Sequence, residues 1–391
     1  MAPEAREQLE SPNDAAPVPV AVPRKRARAS RGQAATPVAE ERADQGAVTA
    51  TPDPPLAVAP VVPLPDLRHK VPVPVVPWHI RTQRSIKEST QPGRVEAERD
   101  ARIAALLPRI ATRTPIIGVI GPKGGAGKST TALVLGLVLA QYAGARPVLC
   151  ELNPDWGTLD ELLGQPATRT LQDVLRDYTA IERAGIGLLQ GYLTMFGRLP
   201  VLTVPADPEA MARLSPRDYD RVLRLLAAHY SPLLLDCGTA FTQRLNQYAI
   251  QHSDHLVVVG WPEQATMRKT LGAVEYLASS RYERDYRGVL GEGAPAGGYP
   301  AEVRARALDD ITLVVNGAGH AGRGPFGGDP IDPAKVRAAA AGLNAVVELP
   351  FSPPLRRLLA DGTLTIEALP RPYRRAIKRL LVAVLARLAG E

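Results

Sequence analysis

The chain has 391 residues, of which 45% are hydrophobic, and this is enough for one large α/β domain with residues left over. Its net charge of +7 is a modest excess for this length and does not by itself indicate nucleic-acid binding. The two cysteines, Cys150 and Cys237, exclude a secreted disulfide scaffold. The polar N-terminus lacks the apolar stretch of a secretory signal, and no apolar run is long enough to span a bilayer, so we expect a cytoplasmic protein.

Residues 1–95 predict a disordered tail rich in proline and alanine. Prolines are so dense between residues 52 and 77 that neither a helix nor a central strand can form. Such a segment cannot bury enough apolar surface to offset the entropy lost on ordering. A spacer is the simplest interpretation. Docking of residues 71–78 on a partner, and contact of the basic residues 24–31 with DNA or anionic lipid, stay open as alternatives.

The next segment has a helical period of apolar residues. It predicts an amphipathic helix over residues 96–113 that lies against the following domain, with Pro108 and Pro115 interrupting or ending it. From residue 114 to 391, short aliphatic runs alternate with helical periods. The predicted strands are residues 116–120, 148–152, 200–204, 233–236, 255–260, 311–316 and 345–349.

These runs are apolar throughout, as expected for strands covered by helices on both faces. Repeated βα units of this kind predict an α/β fold with a doubly wound, mostly parallel sheet in three Rossmann-like layers. The main predicted helices of the units are residues 129–142, 218–229, 264–279 and 333–341.

Residues 121–130, GPKGGAGKST, join the first predicted strand to the first predicted helix of this sheet. Glycines allow backbone N–H groups to point inward, and a helix N-terminus adds partial positive charge, so the segment predicts a phosphate-binding loop. Lys128 would reach the β- and γ-phosphates of ATP, and the Ser129 hydroxyl would bind Mg²⁺. The simple P-loop expression has a glycine where this chain has Pro122, and Gly121 is the nearest glycine.

The last eight of these residues, KGGAGKST, resemble the deviant Walker A loop of the ParA/MinD family of P-loop ATPases at every fixed position. In that family the extra lysine, here Lys123, reaches across a dimer interface to the nucleotide held by the other subunit. The resemblance covers about residues 115–388 and is closest to MinD-like proteins of high-GC Gram-positive bacteria, some of which are associated with type VII secretion. It implies ATP and Mg²⁺ as cofactors and an ATP-dependent homodimer.

Further parts of the family pattern follow in order along the chain. Asp236 ends an apolar strand like the Walker B aspartate and would hold Mg²⁺ together with Ser129. Asn316 matches the asparagine that contacts adenine, and Pro350 lies in the matching base-side loop. The residues implied to bind the nucleotide are therefore Gly121, Lys123, Gly124, Gly125, Ala126, Gly127, Lys128, Ser129, Thr130, Asn316 and Pro350.

The residues that would assist hydrolysis depart from the family pattern. Where the family has Asp-x-Asp after its second strand, this chain has Glu151-Leu152-Asn153, and an amide cannot accept a proton at neutral pH. Asp155 is near in sequence and is a substitute candidate. The predicted catalytic set is Lys123, Lys128, Glu151, Asn153 and Asp155. We expect a slow ATPase that acts as a dimerising switch, and the alternative is an inactive nucleotide-binding adaptor.

Residues 372–388 form a strongly amphipathic pattern with arginines and lysines between the apolar positions. We favour a helix packed on the domain. The alternative is peripheral attachment to the inner face of the membrane through residues 372–391, as in MinD. The remaining partner expectations are a macromolecular assembly in secretion or partition, and DNA as an open possibility.

Overall fold

A computed structural model of the chain describes residues 92–153, 159–164, 167–205, 207, 209, 210, 213–290, 305–319 and 331–391. Residues 1–91 of the predicted tail lie outside the described residues. The catalytic candidate Asp155 also lies outside them.

The centre of the fold is an eight-stranded sheet with the order β3-β4-β2-β5-β1-β6-β7-β8. All strand pairs are parallel except the terminal pair β3–β4. The strands are β1 Ile116–Ile120, β2 Val148–Leu152, β3 Thr194–Phe196, β4 Leu199–Leu202, β5 Leu233–Cys237, β6 His255–Gly260, β7 Ile311–Ala318 and β8 Ala345–Pro350. The predicted doubly wound, mostly parallel sheet is confirmed.

Helices cover both faces of this sheet. Their bounds are α1 Pro92–Ile110, α2 Lys128–Leu139, α3 Leu159–Leu163, α4 Leu171–Arg176, α5 Tyr178–Ala184, α6 Ile186–Leu189, α7 Pro216–Ala227, α8 Arg244–His252, α9 Gln264–Leu277, α10 Ser280–Leu290, α11 Pro333–Ala339, α12 Pro353–Ala360 and α13 Arg371–Leu388. Short 3₁₀ turns occupy Gln190–Tyr192 and Leu308–Asp310.

Alternate side chains of each strand enter opposite cores, because successive residues of a strand point to opposite faces. In β1, Ile117 and Val119 join the core beneath α1, α2 and α13, while Ile120 joins the core beneath α4, α7 and α8. Cys150 and Cys237 are buried in the second core as free thiols. The continuous apolar strand runs in the sequence reflect this coverage on both sides.

Several boundaries differ from the predictions. The first helix begins at Pro92 instead of residue 96, and it continues through Pro108 to Ile110 instead of breaking there. Sequence patterns also missed the short antiparallel strand β3, which pairs with β4 through a two-residue turn at Gly197. A three-residue strand is too short to show a period, which is why it escaped detection.

The C-terminal helix α13 packs inside the domain, as favoured from the sequence. Its apolar residues Ile377, Leu380, Leu381, Val384 and Leu385 are fully buried against α1, α2 and β8. The apolar face that would enter a membrane is therefore already covered by the protein's own core.

The basic side chains of α13 are paired with acidic groups of the same domain. Arg374 and Lys378 bind Glu96 of α1, and Lys378 also contacts Asp100 at 2.6 Å. Arg387, near the other end of the helix, pairs with Asp309 at 2.9 Å. Helix α1 thus holds α13 by ion pairs as well as by apolar contacts. Among the described helices, none combines the length and the apolar character needed to cross a bilayer.

We expect Leu381→Ala to lower the free energy of unfolding by about 2–5 kcal/mol, because it leaves a cavity between α13, α1 and the sheet. Urea denaturation measures this. The matched control is Leu188→Ala, at a leucine that is 38% exposed, where the change should stay within about 0.5 kcal/mol. Equal effects at the two positions would contradict the packing of α13 described above.

Candidate nucleotide site

The phosphate loop lies between β1 and α2, at the carboxyl edge of the central strand. Because β1 is flanked by β5 and β6, this edge is the point where the strand order reverses, which is where open α/β sheets bind ligands. Gly121 and Ala126 are buried, and Gly124 and Gly125 are exposed at the loop surface. Gly127 has a φ of 93° immediately before the helix, a left-handed conformation that turns the backbone into α2.

Two buried side chains of opposite charge, Lys128 and Asp236, lie close enough at this loop to affect each other's pKa. Lys128 is 8% exposed, and burial lowers its pKa although Asp236 acts in the opposite direction. Burial raises the pKa of Asp236 to about 6, against the effects of the Ser129 hydroxyl and of Lys128. Among the described residues, the Lys128 ammonium finds one acceptor, the carbonyl of Lys123, at a long distance of 3.4 Å. Both groups therefore remain poorly compensated in the free chain.

The residues present fit a magnesium–triphosphate ligand. Neither carboxylate oxygen of Asp236 accepts a hydrogen bond of normal geometry from any residue that the structure describes. A buried carboxylate of this kind is costly unless a cation or donor satisfies it. Oxygen ligands from a carboxylate and a hydroxyl are the donors that Mg²⁺ prefers, so Asp236 and Ser129 would hold the ion, directly or through water.

A cavity of about 450 Å³ opens beside the loop, on the side away from β5. Gly125, Gly127 and Thr130 line its loop side. Its far side is formed by Trp261, Asn316, Gly317, Pro350, Phe351, Ser352, Leu355, Arg356, Leu359 and Tyr373. The predicted base-side residues Asn316 and Pro350 thus lie together at one cavity that is continuous with the phosphate loop.

The side chain of Asn316 is fixed by the loop. Its Nδ2 donates to the carbonyl of Ala126 at 2.9 Å, and only the amide nitrogen can donate, so the orientation of the amide is determined. The Oδ1 atom remains as the acceptor of an amide that lines the cavity. A carbonyl acceptor at this position suits the amino group of adenine.

Parts of the chain are similar in sequence to known proteins. No model of a known protein family matches the chain. Over 168 residues the chain is 27% identical to the ESX-1 secretion-associated protein EspI of Mycobacterium tuberculosis, an alignment that covers 43% of this chain and 25% of EspI. It is 28% identical over 167 residues to the septum site-determining protein MinD of Synechocystis, covering 41% of this chain and 59% of MinD. The chain therefore spans about a quarter of EspI and less than two thirds of that MinD.

Solved structures agree with the fold. A ParA family ATPase from Chlorobium tepidum superimposes with a TM-score of 0.53 at 17% identity, over 69% of this chain and 98% of the other. MinD of Pyrococcus horikoshii, complexed with Mg-ADP, superimposes with a TM-score of 0.50 at 21% identity, over 68% of this chain and 94% of the other. The chain has the fold of the ParA and MinD ATPases.

In this ParA/MinD fold the signature lysine lies on the α9 side of the loop. The Lys123 ammonium is half-buried and donates a long hydrogen bond of 3.4 Å to the Oγ1 atom of Thr266, in the first turn of α9. Thr266 was not predicted from the sequence. A threonine two residues into a helix gives no signal until the tertiary structure brings it beside the loop.

The predicted catalytic residue Glu151 is hydrogen-bonded to the backbone of two other segments. It is fully buried in β2, beside Asp236 of β5 in the strand register. Its Oε1 accepts a hydrogen bond from the backbone N–H of Leu159 at 3.1 Å, and its Oε2 accepts one from Val204 at 3.2 Å. These bonds tie the start of α3 and the end of the β4 segment to β2, which favours a structural role. Asn153 follows β2 and is half-buried.

Sequence reasoning also missed Trp261. It directly follows β6 at the carboxyl edge of the sheet and lines the same cavity as Asn316. A single tryptophan after an apolar strand gives no signal in the sequence, although the nucleobase side of a site needs apolar and aromatic residues.

The loop geometry predicts a contrast between two glycines of the free protein. A methyl group at Gly127 would lie 2.1 Å from Nδ2 of Asn316 and would strain a φ of 93°, whereas one at Gly124 has no atom within 4 Å. Gly127→Ala should lower the free energy of unfolding by roughly 1–3 kcal/mol. Gly124→Ala should be neutral or stabilising by about 0.5 kcal/mol. Thermal and urea unfolding without nucleotide measure both, and equal destabilisation would show that the loop has another conformation.

Proposed function

We propose that this protein is an ATP-dependent switch that binds Mg·ATP in its phosphate loop and forms a homodimer in that state. The observation that carries the proposal is the buried pair of Lys128 and Asp236, for which the described residues supply no close ion pair and only one long hydrogen bond, from Lys128. A triphosphate supplies the anion that Lys128 lacks, and its Mg²⁺ supplies the cation that Asp236 lacks. Binding of this ligand therefore offsets the free-energy cost of burying both charged groups.

Each part of the site has a role in this proposal. Backbone N–H groups of the loop and the N-terminus of α2 bind the phosphates, and Lys128 neutralises their charge. Mg²⁺, when bound, would screen the charge between phosphate oxygens. Lys123 leaves Thr266 and reaches the nucleotide of the second subunit, which couples nucleotide state to assembly. Asn316 accepts a hydrogen bond from the adenine amino group, which favours ATP over GTP.

Turnover in this proposal is slow. Both carboxylate oxygens of Glu151 already accept backbone hydrogen bonds, so this residue is poorly placed to activate water. Asn153 can orient water but cannot take its proton. A long-lived ATP-bound dimer is then the functional state, and its lifetime is set by hydrolysis. The same two bonds of Glu151 support the second candidate function, a nucleotide-binding adaptor without turnover.

The cargo is proposed from the relatives. EspI is named as a secretion-associated protein and MinD as a septum site-determining protein. A dimer whose assembly depends on ATP would fit the positioning of a cytoplasmic or membrane-bound assembly, with secretion as the favoured setting. The basic face of α13 is engaged by Glu96, Asp100 and Asp309, so we do not place a membrane contact there.

The first test separates nucleotide binding from dimerisation. Lys128→Ala should weaken binding of Mg·ATP by about 10- to 100-fold, because a charge-assisted contact is lost. Lys123→Ala should bind ATP within about tenfold of the unaltered protein and yet stay monomeric, since its contact belongs to the second subunit. Labelled-ATP binding and light scattering with ATP or ADP measure the two properties.

The control for binding is Lys269→Ala, which removes an exposed lysine on α9 and should leave ATP affinity unchanged. The switch is refuted if the unaltered protein has the same mass with ATP as with ADP. If Lys128→Ala binds ATP as tightly as the unaltered protein, the assignment of the phosphate loop as the nucleotide site is refuted.

The second test concerns turnover. Asn153→Asp should raise phosphate release by about tenfold or more, because it restores a carboxylate that can accept a proton. Steady-state phosphate release with Mg·ATP is measured for three proteins, namely the unaltered protein, Asn153→Asp and Asp155→Ala. The switch predicts measurable turnover in the unaltered protein, and absence of turnover in all three proteins, with ATP still bound, supports the adaptor.

A further inference from the structure

The cavity beside the phosphate loop has a polar group on its α13 side that the free chain leaves without a partner. Tyr373, in the first turn of α13, lines this cavity and is only 2% exposed. Its hydroxyl makes no hydrogen bond of normal geometry with any group that the structure describes. A phenol hydroxyl can both donate and accept, so burying it without a partner costs free energy. A ligand in the cavity that bonds this hydroxyl would remove the cost.

The nearest polar neighbour of this hydroxyl is already committed elsewhere. Burial raises the pKa of Tyr373, and the Thr131 hydroxyl acts in the opposite direction, so the two hydroxyls are close to each other. The Thr131 hydroxyl donates its hydrogen to the carbonyl of Gly127 at 2.7 Å. It therefore has no hydrogen left for the oxygen of Tyr373.

The neighbourhood of Thr131 also indicates which part of a nucleotide would meet Tyr373. Thr131 directly follows Thr130, the residue at which the phosphate loop reaches the cavity. In the proposed function the phosphates occupy the loop, so the ribose is the first group of the nucleotide to enter the cavity. The ribose hydroxyls both donate and accept hydrogen bonds, as a phenol does. The sugar therefore matches Tyr373 in position and in chemistry.

The first turn of α13 has little that would hold Tyr373 from within the helix. It contains no acidic residue, and its N-cap, Pro370, makes no side-chain hydrogen bond. Arg371, Arg374 and Arg375 place positive charge at the helix end where the backbone dipole is already positive. The orientation of this turn therefore depends on contacts with other elements.

Helix α1 supplies the negative charge that this turn lacks. The Glu96 carboxylate contacts Arg374 at 3.2 Å and Lys378 at 3.5 Å. Asp100, one turn further along α1, contacts Lys378 at 2.6 Å and accepts a hydrogen bond from the Tyr142 hydroxyl, just beyond α2. Because Lys378 is only 9% exposed, these ion pairs are partly shielded from screening by salt. They fix the start of α13 against α1 and the end of α2.

We propose that the Tyr373 hydroxyl binds a ribose hydroxyl of the bound nucleotide and that Glu96 of α1 is the positioning residue that holds Tyr373 at the cavity. The inference rests on the proposed function, because it assigns the sugar of the same nucleotide. It makes the site selective for ribonucleotides over nucleotides without ribose hydroxyls. It also makes the affinity for ATP depend on α1, a helix that precedes the first strand of the sheet.

The first experiment measures the affinities of Mg·ATP and Mg·2′,3′-dideoxy-ATP by calorimetry on the full chain. The unaltered protein should bind ATP about 3- to 10-fold more tightly, which is the contribution of one hydrogen bond. Tyr373→Phe removes only the hydroxyl, so it should weaken ATP binding by a similar factor and leave dideoxy-ATP binding unchanged. The ratio of the two affinities should then approach one, as expected for two groups that interact directly.

The free protein provides a second measurement, in which the same substitution is not harmful. Tyr373→Phe removes a buried hydroxyl that has no partner in the described chain, so the melting temperature without nucleotide should stay the same or rise. A clear fall in the melting temperature would show that the hydroxyl is already bonded in the free protein, which contradicts the premise of the proposal.

The positioning role of Glu96 is tested with the same two nucleotides. Glu96→Gln removes the charge that holds Arg374 and Lys378, so the ratio of ATP affinity to dideoxy-ATP affinity should fall to less than half of its original value. The matched control is Glu98→Gln on the same helix, because the Glu98 side chain is 61% exposed and pairs with Arg94 of α1 itself. This control should leave the ratio unchanged. A purely structural role for Glu96 would lower both affinities together and leave the ratio as it was, which refutes positioning.

The outcomes separate this inference from the proposed function. If Tyr373→Phe binds ATP as tightly as the unaltered protein, the role of the hydroxyl is refuted while nucleotide binding stands. If Tyr373→Phe weakens ATP and dideoxy-ATP equally, the hydroxyl does not contact the ribose, and the assignment is again refuted. If the unaltered protein binds neither nucleotide, the proposed function fails, and the role of Tyr373 fails with it.

Discussion

The structure depends on the burial of a carboxylate and an ammonium at the carboxyl edge of the central strands. Asp236 ends β5 and Lys128 begins α2, and neither group is properly satisfied by the described protein. The burial of apolar side chains offsets this cost, because β5 is buried throughout, β1 is buried from Ile117 to Ile120, and their pairing places the two residues at the same edge. A ligand of complementary charge would satisfy both groups, and the free energy recovered in this way would add to its binding affinity.

The base side of the site arises from a local irregularity in the sheet. In a regular β7, side chains would alternate between the two faces of the sheet along the whole strand. The bulge at Gly317 breaks this alternation, so that Asn316 is bonded to the phosphate loop and Trp261 lies against the glycine. One extra residue thereby connects the phosphate loop to the aromatic wall of the cavity. Bulges near active sites commonly redirect side chains in this way.

The C-terminal helix α13 also contributes to the base side of the site. Tyr373 of α13 lines the cavity, while Ile377 and Leu381 of the same helix lie in the core. Helix α1 fixes α13 through Glu96 and Asp100. The segment immediately following the first 91 residues therefore stabilises a helix that forms one wall of the candidate site.

The sequence alone determined the fold class and the phosphate loop, because both depend on local patterns. Apolar runs at regular intervals identify buried parallel strands such as β1 and β6, and the spacing of glycines before Lys128 and Ser129 identifies the loop. The strand-end position of Asp236 was also visible in the sequence, and the resemblance to the ParA/MinD family pointed to Asn316 and Pro350. Only the tertiary structure decided what these residues contact.

Glu151 was expected to assist hydrolysis, yet its oxygens hold the backbone of Leu159 and Val204, which are 8 and 53 residues away in sequence. Trp261 and Thr266 lie at the candidate site only because folding brings separate strand and helix ends together. Contacts of this kind have no periodic signature, so they depend on the whole packed sheet and cannot be obtained from any single segment of the chain.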